Sequence, residues 1–166
     1  MSFIKSNHKN KAKSETEEAV SEPRRLVCEF YKLQEQRVAT YKTLDNAHIA
    51  YLQTAPDYDF LNYRQKVHDV TEAFNHISQS VISIEQKLRN EHGKTAVADC
   101  IAQVQEMEKK HLEMIAELQL AKQNTQDLPG DEDVRELMVF IKQRLNNLLQ
   151  ELAEHLENLK YETEGL

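Results

Sequence analysis

The sequence predicts an all-α protein, an antiparallel up-down four-helix bundle or coiled coil with a disordered N-terminal tail. The 166-residue chain has only three glycines and three prolines, too few for the many tight turns of a β or α/β fold. Charged residues make up 30% of the chain and tryptophan is absent, a balance that is typical of long helices. Apolar residues also recur at gaps of three and four along four long segments, which is the period of helices that bury one face.

The N-terminal residues 1–20 are predicted to form the disordered tail, because they contain few large apolar side chains. Such a segment cannot bury enough surface to offset the entropy that it loses on ordering. Its string KNKAK can be interpreted as a nuclear-import signal, although short basic strings are common in solvated tails. Residues 21–163 are then expected to form a single helical domain.

The first predicted helix covers about residues 22–55. Ser21 or Glu22 is expected to cap it, and Pro23 suits its first turn, where the missing N–H has no partner to lose. Pro56 ends it, because proline disfavours helical geometry at the preceding residue. The apolar stripe of this helix comprises Leu26, Phe30, Leu33, Arg37 or Val38, Tyr41, Leu44, His48 and Tyr51.

The second predicted helix, about residues 59–92, has the most regular pattern. Its apolar residues step by three and four without exception, and a repeat averaging 3.5 residues keeps one seam facing a partner helix. The sequence leaves open whether Gly93 is a turn or only a kink in a longer helix. The seam comprises Phe60, Tyr63, Val67, Val70, Phe74, Ile77, Val81, Ile84 and Leu88.

The third and fourth helices are predicted at about residues 95–124 and 131–162. The string NTQDLPGDED separates them, and Asp131 is expected to cap the fourth helix. The links between all four helices are short, so consecutive helices must run antiparallel. The inward residues are Val97, Ile101, Val104, Met107 or Glu108, His111, Ile115 and Leu118, followed by Val134, Met138, Ile141, Leu145, Leu148, Leu152, His155 or Leu156, and Leu159.

The link between the first two helices contains the densest group of aromatic and acidic side chains. Asp59 can cap the second helix, and Tyr58 and Tyr63 then have the spacing of a hydrophobic staple. Phe60 is expected to start the buried seam. The alternative is a partner-docking corner, because exposed tyrosines beside Asp57 and Arg64 would make a good binding hot spot. The candidate site is therefore Tyr58, Asp59, Phe60, Tyr63 and Arg64.

The composition argues against several classes of function. The net charge is −7, and residues 131–166 hold nine acidic against four basic side chains, so the sequence lacks the broad basic face that duplex DNA binding normally needs. No apolar run approaches the roughly 20 residues of a membrane span. Cys28 and Cys100 lie among apolar neighbours and are interpreted as buried thiols in a reducing compartment. We therefore expect an intracellular protein, nuclear, cytoplasmic or both.

No constellation in the sequence predicts catalysis, a metal site or a cofactor. His68, Glu72 and His76 share a helix face, but a solvated face is the preferred interpretation because a fourth ligand is not evident. His48 and His111 lie on apolar stripes and are expected at the edge of the core, each with a hydrogen-bond partner. A phosphate-binding glycine loop and a nucleophile elbow are also absent, so an enzyme is not expected.

Two strings carry a family resemblance. LQEQRVATYKTLDNAHIAYL and YDFLNYRQKVHDVTEAF, followed by a long helix, resemble the "required for excision" DNA-repair domain family of small eukaryotic proteins. The resemblance is best over residues 26–90. It implies a role in DNA excision repair, and it implies no catalytic residue and no cofactor.

Two functional hypotheses follow. The first is a non-enzymatic helical adaptor in DNA excision repair that acts through protein–protein contacts. The alternative is a structural coiled-coil component of a cytoplasmic or cytoskeletal assembly, which the unbroken heptad of the second helix favours. In both hypotheses the partners are proteins. The oligomeric state stays open, because four apolar stripes can close on each other or leave a seam for a second copy.

Overall fold

The fold is four long helices in a computed structural model that describes the backbone from residue 7 and the side chains from residue 22. The helices are α1 (Asn7–Leu52), α2 (Phe60–Asn90), α3 (Thr95–Asp127) and α4 (Glu132–Thr163). Residues 7–166 contain no strand. The predicted all-α bundle is confirmed.

The start of α1 differs from the prediction. The helix begins at Asn7 and not at Ser21 or Glu22, and Pro23 lies inside it. Proline removes one hydrogen bond from a helix, but lysine and glutamate are good helix formers, and extending an existing helix is easier than nucleating a new one. Of the predicted tail, residues 7–20 are thus helical backbone, and residues 1–6 lie outside the described residues.

The starts of α2 and α4 follow the predicted local chemistry, whereas α1 ends at Leu52 and not near residue 55, and α3 continues to Asp127 and not only to residue 124. The Asp59 carboxylate accepts from the backbone N–H of Asn62 at 3.3 Å, and the Asp131 carboxylate accepts from Val134 at 3.2 Å. Gly93 has φ of +63°, a conformation that glycine adopts without a Cβ penalty. Because α2 ends at Asn90 and α3 starts at Thr95, Gly93 belongs to a turn.

The largest group of buried residues, which we call the main core, unites all four helices. It lies where the first described side chains of α1 meet the end of α2, the start of α3 and the end of α4. Each fully buried Leu, Ile or Phe side chain contributes about 1.5–3 kcal/mol relative to its exposed state. The main core consists of Leu26, Val27, Phe30, Ile77, Val81, Ile84, Leu88, Val97, Ala98, Ile101, Val104, Met107, Leu148, Leu152 and Leu159.

The opposite end of the bundle is built differently. Here α1, α2 and α3 share a small core around Leu44, Val70 and Phe74, while α4 packs on α3 alone through Ile141. The predicted seam of α2 is buried from Val70 to Leu88. All four helices therefore share a core at one end of the molecule, whereas at the other end three share a core and α4 contacts only α3.

Of the two α1 residues that the sequence left open, Arg37 is buried and Val38 is exposed. The prediction that both cysteines are buried is wrong for Cys28 and holds only in part for Cys100. Cys28 is exposed and Cys100 is half-buried. Leu26, Val27 and Phe30 define the buried face of α1, and Cys28 lies off that face. Burial raises the pKa of the Cys100 thiol.

Candidate functional site at the corner between α1 and α2

The turn from α1 to α2 is held by its own polar groups. The Thr54 hydroxyl donates to the carbonyl of Tyr51 at 2.6 Å and accepts from the backbone N–H of Asp59 at 2.9 Å. The Asp59 side chain in turn caps α2. Asp59 is thus bonded to the Thr54 side chain on one side and to the backbone N–H of Asn62 on the other, and the second contact is its predicted capping role.

Three tyrosine rings pack together at this corner. The Tyr51 ring stacks on Tyr63 with 4.5 Å between centroids and an interplanar angle of 19°, and its centroid lies 4.9 Å from that of Tyr58. The predicted staple between Tyr58 and Tyr63 is therefore made through Tyr51, which belongs to the last turn of α1. His48, one turn earlier, lies 5.7 Å from the Tyr63 ring.

The hydroxyls of Tyr58 in the link and Tyr63 in α2 fasten the corner to the C-terminal part of α3. Tyr58 donates to the Asp127 carboxylate and accepts from Gln126 at 3.0 Å. Tyr63 donates to the side-chain oxygen of Gln119. The hydrogen bond to an anionic acceptor raises the pKa of Tyr58, and burial raises the pKa of Tyr63. Both tyrosines therefore carry structural contacts and donate as neutral phenols.

The remaining corner residues face solvent. Phe60 is 56% exposed and Leu61 is 77% exposed, and Arg64 one turn further is also exposed. The expectation that Phe60 starts the buried seam is wrong, because the buried residues of α2 begin only at Val70. Of the five predicted site residues, Phe60 and Arg64 remain available to a partner. Sequence reasoning missed Leu61. The available signal was that this large apolar residue lies next to Phe60 but off the seam.

An open cavity of about 410 Å³ adjoins the corner between α2 and α3. Its floor comes from α1, and Phe60 and Tyr63 form its end. A second cavity of about 640 Å³ continues along the same two helices. The two share Phe74, Leu112 and Ala116, so we treat them as one feature and call it the α2–α3 groove.

A buried polar layer lies between the two cores and contributes to the floor of this groove. Arg37 is 2% exposed and Glu108 is 6% exposed. Gln34 connects them, accepting from Arg37 at 2.9 Å and donating to Glu108 at 2.7 Å. Arg37 also donates to Gln105. A buried guanidinium is tolerated here because its hydrogen bonds are made and a carboxylate lies nearby.

The charge states of the layer follow from these contacts. Burial opposes the ionised form of Glu108, but the hydrogen bond from His111 and the charge of Arg37 prevail, so the pKa of Glu108 lies below its ordinary value. Burial lowers the pKa of Arg37 and, together with the nearby Glu108 carboxylate, raises that of Tyr41. Glu108 is thus a buried anion that balances the charge of Arg37.

His48 and His111 lie on the inner faces of their helices as expected, although His48 is buried more deeply than the edge of the core. His48 is 2% exposed, and burial lowers its pKa. His111 stacks on Tyr41 at 4.0 Å and lies 3.4 Å from the Glu108 carboxylate. His68 and Glu72 form an exposed pair at 3.2 Å, which confirms the solvated face.

Two kinds of feature are absent from the described part of the chain. No group of three or more His, Cys, Asp or Glu side chains there has a geometry that could hold a metal ion. No helix between residues 7 and 166 is long and apolar enough to cross a membrane.

The fold places the chain among all-α four-helix bundles, and its surface includes an exposed apolar corner with an adjoining groove. The family model described as DNA repair REX1-B matches residues 25–122. The chain belongs to this family, as its resemblance to the "required for excision" proteins implied. The matched residues include the whole corner, the buried polar layer and nearly all of the α2–α3 groove, while α4 lies outside them.

Two curated relatives share the name "Required for excision 1-B domain-containing protein". The one from Bos taurus is 31% identical over 142 residues, which cover 86% of this chain and 77% of the relative. The one from Mus musculus is 31% identical over 141 residues, which cover 84% of this chain and 80% of the relative. No solved structure matches the chain.

Proposed function

We propose that this protein is a non-enzymatic adaptor in DNA excision repair that binds a protein partner through its corner. The observation that supports this most is the exposure of Phe60 and Leu61 beside Arg64. Phenylalanine and arginine are enriched at protein interfaces, and arginine is enriched among the residues that dominate binding energy. The tyrosines beneath them are already fastened by hydrogen bonds, so a partner meets a preorganised surface, which lowers the entropic cost of binding.

A protein partner is favoured over direct contact with DNA. Acidic side chains outnumber basic ones, 28 to 21, and DNA binding gains its affinity from basic groups that neutralise phosphates. Arg64 is a single cation at the corner, with Asp57 and Asp59 nearby in the chain. The adaptor is proposed to act inside the cell, in the nucleus, the cytoplasm or both.

The structural coiled-coil alternative loses its main support. That hypothesis rests on the heptad seam of α2 being available to another chain. In the structure the seam from Val70 to Leu88 is buried against the other helices of the same chain. We therefore propose the adaptor in preference to a filament component.

The test is rescue of ultraviolet survival in cells that lack the gene. We expect loss of the gene to sensitise cells, and the wild-type chain to restore survival. Phe60→Ser combined with Arg64→Glu should fail to restore it, although the fold is retained because both side chains are exposed. Val139→Ser on α4 is the matched control, since Val139 is also 56% exposed. Full rescue by the corner variant, or normal survival without the gene, would contradict the proposal.

A further inference from the structure

We propose that the α2–α3 groove holds one amphipathic helix of a protein partner, with lysine or arginine flanking the apolar face of that helix. This inference rests on the proposed adaptor role and specifies its partner. The groove begins at the exposed corner, because Phe60 and Tyr63 line its end.

The length of the groove fits a helix. Its lining runs from Phe60 to Glu85 on α2 and from Ala102 to Gln123 on α3. At about 1.5 Å per residue, these stretches give a groove roughly 30 Å long. A helix of about 20 residues matches this length, whereas a small ligand would fill only part of it. Helix-in-groove binding is a recurring mode of peptide recognition.

The walls and floor suit an apolar helix face. Leu44, Tyr51 and Phe74 contribute buried apolar surface near the corner. Small side chains, including Ala116, let an incoming backbone approach closely. Leu120, which also lines the groove, is 61% exposed and faces solvent without cover from the described residues. A bound helix would bury the exposed surface of Leu120 and Phe60 together.

The acidic side chains on the rim of the groove favour basic residues beside the apolar face of the partner helix. Glu106 and Glu113 are exposed on α3 where the groove continues away from the corner. Among the described side chains neither makes an ion pair, and Lys109 between them is the one basic residue on this stretch of rim. The two glutamates are seven residues apart, about 10 Å along the helix axis. Basic residues seven apart on a neighbouring helix match that spacing.

The other charged residues along the groove do not change the preference for a partner helix with basic flanks. Glu85 lines the far end but already pairs with Arg89 at 3.1 Å. Arg37 lies in the floor and is balanced by Glu108 through Gln34. The charge that remains unbalanced is therefore the negative charge on the α3 rim. An acidic partner helix would be repelled there.

The test uses two labelled peptides and the full chain. The probe is a fluorescein-labelled 20-residue helix with leucines at gaps of three and four and lysines on both flanks. The comparison peptide has glutamate in place of each lysine. By fluorescence anisotropy we expect the lysine peptide to bind at least tenfold more tightly. Glu106→Lys combined with Glu113→Lys should reverse that preference.

A variant that fills the groove tests whether the peptide binds there. Ala116→Trp should weaken binding of the lysine peptide at least tenfold, and Leu137→Trp on α4 should leave it unchanged. Both positions are exposed, and circular dichroism checks that each variant is folded. Absence of binding, equal affinity for both peptides, or no effect of Ala116→Trp would overturn the proposal. Wild-type self-association that Ala116→Trp abolishes would show a second copy in the groove and would also overturn it.

The outcomes separate this inference from the adaptor role. If the chain binds neither peptide but restores ultraviolet survival, the groove proposal is wrong and the adaptor role stands. If the lysine peptide binds as expected but loss of the gene does not sensitise cells, the repair role is wrong and the groove stands.

Discussion

Gln34 on α1 donates a hydrogen bond to the Glu108 carboxylate on α3 at 2.7 Å, with both residues buried. Through this bond the buried Arg37 is connected to its counter-charge, since Gln34 also accepts from Arg37 at 2.9 Å. The layer lies between the main core and the smaller core at the corner end. It therefore fixes the register of α1 against α3, because sliding either helix by one turn would leave buried polar groups without partners.

Removing the charge of Glu108 is expected to destabilise the fold. Glu108→Gln leaves Arg37 as an uncompensated buried cation, and we expect a loss of about 3 kcal/mol in the free energy of unfolding. Glu106→Gln on the same helix is the control, because Glu106 is exposed and the loss there should stay within about 0.5 kcal/mol. Urea denaturation measures both, and equal losses would contradict the role of the layer.

The coupling between Arg37 and Glu108 can be measured directly. Arg37→Met should cost about as much as Glu108→Gln, because each leaves a buried charge alone. The double variant removes both charges, so its loss should be smaller than the sum of the single losses. Strictly additive losses in urea denaturation would show that the two charges do not interact.

The same layer predicts a dependence on pH. The pKa of Glu108 lies below its ordinary value of 4.5 in the folded chain. Its contribution to stability is therefore present above the unfolded pKa and is lost as the pH falls through the lower, folded pKa. We expect the stability difference between wild type and Glu108→Gln to be constant near neutral pH and to shrink below about pH 4.5. A difference that grows on acidification would contradict the assignment.

The seam of α2 predicts a sharp contrast between two positions. Phe74 is 6% exposed and Leu61 is 77% exposed. Phe74→Asp puts a charge into the core and removes a large apolar side chain, so we expect a loss of at least 4 kcal/mol and a marked fall in Tm. Leu61→Asp should leave Tm nearly unchanged. Thermal denaturation followed by circular dichroism measures both values of Tm. An unchanged Tm for Phe74→Asp would contradict the account, because it would place Phe74 outside the seam.

Substitutions of Asp59 distinguish a structural role of this residue from a role in binding a partner. Asp59→Ala removes the cap of α2 and should cost about 1 kcal/mol, while Asp59→Ser keeps a capping oxygen and should cost less. If Asp59 is purely structural, the folded variants should rescue ultraviolet survival as well as the wild type does. Loss of rescue with unchanged stability would instead make Asp59 a contact residue.

Local chemistry made much of the fold predictable from the sequence. Asp59 and Asp131 cap the helices that they were expected to cap, and the regular steps from Val70 to Leu88 gave the buried seam of α2. The start of α1 was not predictable in the same way. Proline is favoured in the first turn of a helix, so the local rule placed the start of α1 near Pro23. That rule gives little weight to the ease with which a formed helix is extended.

The candidate site was only partly predictable, because burial depends on how far neighbouring helices diverge. The heptad pattern placed Phe60 on the seam, but no helix covers it at the corner. The buried position of Arg37 also required tertiary contacts, since only Gln34, Gln105 and Glu108 make a buried guanidinium tolerable there. The α2–α3 groove has no signature in the sequence.

Amide hydrogen exchange tests most directly whether the apolar stripes close within one chain. Residues 77–88 of α2 and 97–107 of α3 contain most of the main core and should exchange slowly, with rates that do not change when the protein is diluted. The exposed corner at Phe60 and Leu61 should exchange fast. Fast exchange in the two core segments at low concentration, with protection regained at high concentration, would show that a second copy completes the core and would contradict the closed bundle.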